Sequence, residues 1–83
     1  MLPFSYFYNM GINNFIAVFK ESFDDLESEI LATTKFKEME EWTSMQALLL
    51  IAHIDDTLGV VLEAEDVRNA QTIQDLFKIV STQ

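Results

Sequence analysis

The chain has 83 residues, 49% of them hydrophobic, and contains no cysteine. That is enough for one small domain burying about 60–65% of its unfolded surface, and it excludes disulfides, thiolate metal sites and a cysteine nucleophile. Fourteen Asp+Glu against five Lys+Arg give a net charge of −9, which argues against nucleic acid and anionic membrane, since both need clustered cations, and favours a basic protein partner.

The chain opens on MLPFSYFYNMG, Met1 to Gly11, which is apolar and aromatic without a basic residue or a small-residue cleavage pattern. It does not read as a signal peptide. We take residues 1–12 as an extension, with an aromatic run from Phe4 to Tyr8, and 13–83 as the folded domain. Residues 1–9 are expected to be dispensable for the fold. A membrane span needs about 20 apolar residues, and the longest apolar run near the middle is only Ala47 to Ala52. Without disulfides the chain suits a reducing, cytoplasmic setting.

Two Gly and one Pro leave little room for hairpins, and the periodicity is helical throughout. The prediction is all-α: a small four-helix bundle with a long loop between the first two helices and a short third helix. The first helix is predicted from about Asn13 to Asp25, with Phe15, Val18, Phe19 and Phe23 at helical spacing. An acidic stretch follows, with Asp24, Asp25, Glu27 and Glu29. It lacks the spacing and glycine of an EF-hand, so it reads as a solvated loop and no metal site is predicted. The loop continues through Thr33, Thr34 and Phe36 to Trp42, a hydrophobic plug. The second helix spans Ser44 to Leu58 and stops at Gly59, a suitable C′ residue. A third covers Ala64 to Asn69, and a fourth Thr72 to Val80, with Thr72 and Asp75 as an N-terminal cap. His53, the single histidine, reads as a solvated helix position.

Thr43-Ser44-Met45-Gln46 fits a capping box. Thr43 is the N-cap, accepting from the Gln46 N–H, and the Gln46 side chain is expected to reach back to the Thr43 N–H. Ser44 then falls at N1, its hydroxyl free at the positive end of the helix dipole, where an attached phosphate is favoured. The plain alternative is a solvated serine at a helix start. At ~100° per residue the second helix shows two apolar stripes. Ala47, Leu50, Ile51, Ile54 and Leu58 form a core stripe. Met45, Leu48, Leu49 and Ala52 form another, nearly opposite, which continues into Asp55 and Asp56. A helix with only a core to fill needs one. The second is either covered by the N-terminal segment or is a docking face beside Ser44.

Over residues 13 to 81 the chain resembles the acyl carrier protein family. The family's Asp-Ser-Leu signature reads Thr43-Ser44-Met45 here. Phe36 and Met39 stand where the family has apolar loop anchors. Ile54-Asp55-Asp56-Thr57-Leu58-Gly59-Val60 is similar to its acidic exit from the second helix, and Thr72-Ile73 to the Thr-Val pair opening the fourth. The resemblance implies a bundle of acyl-carrier type in which a phosphopantetheinyl transferase moves 4′-phosphopantetheine from coenzyme A onto Ser44. The arm's thiol then holds an acyl or aminoacyl group for acyl-loading and acyl-transfer enzymes with basic and apolar docking patches. It also implies partner contacts at Met45, Leu48 and Ala52, to which the flanking Thr43, Leu49, Asp55 and Asp56 are added. An interior sheltering the cargo is implied at Leu50, Ile54, Leu62, Val67 and Phe77. The carrier is expected to be a monomer.

Departures from the family pattern point to a specialised pathway of lipid or secondary-metabolite synthesis. Thr43 replaces the usual Asp, Gln46 and Leu49 occupy positions that are often acidic, and Trp42 stands where small residues precede the signature. The loss of the Asp keeps open a second reading, a helical protein-interaction module with Ser44 unmodified. One His, no Cys and no convergent acid–base pair leave little from which to build a catalytic site, so an enzyme is not expected.

Overall fold

The computed structural model describes residues 11–82. Its elements are α1 (Ile12–Glu21), a 3-10 turn (Phe36–Glu38), α2 (Ser44–Leu58), α3 (Ala64–Asn69) and α4 (Ile73–Ser81). Among the described residues there is no strand, and no helix is long and apolar enough to cross a membrane. α1 packs against α2 and α4, and α3 packs against the same two helices. Residues 1–10 of the expected N-terminal extension, with the aromatic run from Phe4 to Tyr8 and its dispensability for the fold, lie outside the described residues.

α1 buries Phe15, Val18 and Phe19, the i, i+3, i+4 row that faces a core. It starts at Ile12, so that residue belongs to the helix and not to the extension. It ends at Glu21, short of the expected Asp25. Ser22 is the reason: its Oγ donates to the Phe19 carbonyl at 2.8 Å. The Ser22 and Phe23 amides bond i−3 carbonyls at 3.2 and 3.1 Å, which tightens the chain out of the α-helix. Asp24 and Asp25, weak helix formers, follow at once. Phe23 therefore leaves the helical row and folds back, its ring 5.2 Å from that of Phe19 and 6.5 Å from that of Trp42.

The long loop is more ordered than its composition suggests. Phe36 is fully buried and stands edge-on to Trp42 at 4.9 Å and to Phe19 at 6.0 Å, a favoured geometry for aromatic pairs. Glu41 gathers the acidic stretch: one carboxylate oxygen accepts from the Ser28 hydroxyl at 2.8 Å, the other from the Glu27 amide at 3.2 Å. The Ser28 hydroxyl, foremost, and backbone amides hold the Glu41 carboxyl below its usual range. Farther on, the Ala32 and Thr34 carbonyls accept from the Gln74 and Ile73 amides at 3.0 and 3.2 Å, so the loop satisfies two of the four orphan donors of α4.

Thr72 and Asp75 satisfy the rest of that terminus, as their spacing predicts. Thr72 Oγ1 accepts from the Asp75 amide at 3.2 Å, and Asp75 Oδ2 accepts from the Thr72 and Gln71 amides at 3.1 and 3.0 Å. These donors, the Gln71 amide first, hold the Asp75 carboxyl below its ordinary range. α2 stops where expected, at Gly59, whose φ of 69° is in the left-handed region that glycine enters without penalty. The core formed by all four helices includes Phe15, Phe19, Phe36, Leu50, Ile54, Leu62, Ile73, Leu76 and Val80, each essentially inaccessible to solvent.

Candidate functional site

Ser44 is the first residue of α2 because Thr43 caps the helix. Thr43 is extended (φ −141°, ψ 170°), and its hydroxyl accepts from the Gln46 amide at 3.0 Å. Its carbonyl accepts from the Ala47 amide at 3.0 Å. That accounts for the third and fourth amides of the helix. Among the described residues the Ser44 and Met45 amides have no partner, and neither has the exposed Ser44 hydroxyl. An oxygen nucleophile thus stands at the positive end of a 15-residue helix, beside two unpaired donors.

Half of the expected capping box is not made. The Gln46 side chain does not return to Thr43. Its Nε2 donates to the Ser22 carbonyl at 3.0 Å and lies 3.1 Å from the Ser22 hydroxyl, and the residue is only 8% exposed. Gln46, Leu50, Ile54 and Leu58 form the buried row of α2, and Gln46 is its one polar member, tied to the C-cap of α1. It is therefore a structural tether and not part of an outward recognition face. Ala47 and Ile51, assigned to the core stripe, are half-buried at its edge.

That edge borders a groove of about 630 Å³. Ser44, Ala47, Leu48 and Ile51, at i, i+3, i+4 and i+7 of α2, form one wall. Ala64, Val67 and Arg68, at i, i+3 and i+4 of α3, form the other, and Lys37, Trp42 and Thr43 complete the lining. Lys37 Nζ donates to the Arg68 carbonyl at 2.6 Å, joining the loop to the last turn of α3. Of the five residues expected to shelter a cargo, Val67 alone borders this groove. Leu50, Ile54 and Leu62 are buried in the common core, and Phe77 is half-buried against Phe15 at 5.7 Å. The sequence reading missed Lys37, Ala64 and Arg68 as groove residues. The matching helical spacing of 64, 67 and 68 was the available signal.

Among the described residues nothing covers the second stripe of α2. Met45, Leu48 and Leu49 are 64, 61 and 47% exposed, and Ala52, Asp55 and Asp56 are exposed beside them. Exposed apolar residues rimmed by charge mark contact surfaces more often than scattered ones do. His53 is less free than expected: its Nε2 lies 3.1 Å from Glu21 Oε1, which links α2 to α1. Among the described residues no Lys or Arg lies within ion-pairing distance of a carboxylate. Among the described residues neither a histidine nor a carboxylate hydrogen-bonds the Ser44 hydroxyl.

Compared with known proteins, the chain matches no family model, no curated protein and no solved structure.

Proposed function

We propose that this chain is an acyl carrier, bearing an acyl or aminoacyl group as a thioester on a 4′-phosphopantetheine arm attached to Ser44. The observation that carries the reading is the unpartnered Ser44 hydroxyl at N1 of α2, beside the unpaired Ser44 and Met45 amides. A phosphodiester formed there keeps one negative charge, which the helix dipole and the free amides stabilise. In the loading step the Ser44 oxygen attacks the pantetheine-bearing phosphorus of coenzyme A. A new P–O bond forms, the bond to the bridging pyrophosphate oxygen breaks, and adenosine 3′,5′-bisphosphate leaves. The serine proton passes to a base on the transferase, since among the described residues no base contacts Ser44.

The exposed Met45, Leu48 and Leu49 supply the apolar contact for partner enzymes, and Asp55 and Asp56 supply the charge that steers basic ones. Thr43 keeps the cap with no charge beside the attachment point. Incubation with a fluorescent coenzyme A analogue and a broad-specificity phosphopantetheinyl transferase tests the proposal. The full chain should become labelled and Ser44→Ala should not. An unlabelled wild-type chain, tried with several transferases, would favour the interaction module in its place.

A further inference from the structure

The groove beside Ser44 has an unusual charge for this protein. The chain carries fourteen Asp+Glu and five Lys+Arg. Two of those five cations, Lys37 and Arg68, line the groove, and no acidic residue does. Neither cation has a carboxylate within ion-pairing distance among the described residues. Lys35 and Lys37 also line the neighbouring cleft, together with Glu38 and Gln71. Apart from Thr43 and Ser44, the rest of the groove is apolar, through Trp42, Ala47, Leu48, Ile51, Ala64 and Val67. Its volume of about 630 Å³ is in the range of small-molecule sites.

We infer that the groove receives an acyl group that ends in a carboxylate, the apolar stem lying on Ala47, Ile51 and Val67 and the carboxylate meeting Arg68 and Lys37. This inference rests on the carrier reading, since Ser44 edges the groove and tethers the cargo to it. Tethering makes the contact intramolecular, so a weak site suffices. An apolar wall strengthens a charge pair relative to open solvent. Lys37 is already directed to this end of the groove by its bond to the Arg68 carbonyl. A wholly apolar cargo would leave two unpaired cations beside it, with nothing gained from their position.

The test compares two loaded forms of the full chain, prepared with a broad-specificity transferase from glutaryl- and pentanoyl-coenzyme A. The cargoes have the same carbon count and differ only in the terminal carboxylate. The glutaryl form should melt several degrees above the pentanoyl form at low salt, and the gap should shrink as salt screens the pair. Arg68→Gln should abolish the gap and Arg68→Glu should reverse its sign. Lys78→Gln, an equal change of charge outside the groove, should keep it. Each comparison is made within one variant, so a change in intrinsic stability cancels. Equal melting of the two wild-type forms, or a gap that survives Arg68→Gln, would overturn the inference and leave the carrier reading standing. Failure to load either cargo would remove the carrier reading and this inference with it.

Discussion

At residue 43 the chain needs an oxygen acceptor and uses a neutral one. Thr43→Ala removes the acceptor for the Gln46 amide and should cost about 0.5–2 kcal/mol in urea denaturation. Thr43→Asp should be near neutral or slightly stabilising, because Asp also caps and its charge suits the dipole. A large loss with Thr43→Asp would mean that the cap geometry is misread. Gln46 makes a sharper case. Its Nε2 donates to the Ser22 carbonyl, and a carboxylate has no proton to give. Gln46→Glu should leave a part-buried carbonyl unpaired and place a charge against it, at about 1–3 kcal/mol. Unchanged stability of Gln46→Glu would contradict the tether between α1 and α2. The same bond gives a physical reason for a glutamine at this position.

Helix termini are where local sequence determines most of this fold. Gly59 ends α2, and Thr72 with Asp75 opens α4, because each interaction is closed within a few residues. The end of α1 was not legible, since Phe23 keeps helical spacing while packing on Trp42 from a turn. The partner of Gln46 was not legible either, because Ser22 lies 24 residues away in sequence. The site divides in the same way: Ser44 was visible from its cap, whereas the groove needs Lys37 from the loop and Arg68 from α3. The capped termini also predict a pH response. Backbone amides lower the Asp75 carboxyl in the folded state, and the Ser28 hydroxyl foremost does so for Glu41. A carboxyl whose folded pKa is depressed contributes stability above its unfolded value, and the contribution is lost as pH falls through the folded one. The melting temperature should therefore drop as pH is lowered below about 4. Asp75→Asn, which retains an acceptor oxygen without the titration, should make that acid limb shallower. An unaltered limb in the variant would remove Asp75 as a contributor.

On the scale of the molecule, an exposed apolar stripe, the exposed Ser44 and an acidic rim meet at one side of α2. Binding kinetics with a transferase at two ionic strengths separate their roles. Leu49→Glu should raise the off-rate, since buried apolar area contributes at about 25 cal/mol per Å². Replacing Asp55 and Asp56 with Asn should mainly lower the on-rate and flatten its salt dependence. An off-rate unchanged in a folded Leu49→Glu would mean that the stripe is not the docking face, and the case for a specialised carrier would lose its main support.

The central claim is covalent, and intact-mass measurement with fragment mapping tests it most directly. After incubation of the full chain with coenzyme A and a broad-specificity transferase, the account predicts a gain of one phosphopantetheine group per chain, located entirely on Ser44. A wild-type chain that stays unmodified with several transferases, or a group found on any other serine or threonine, would contradict it.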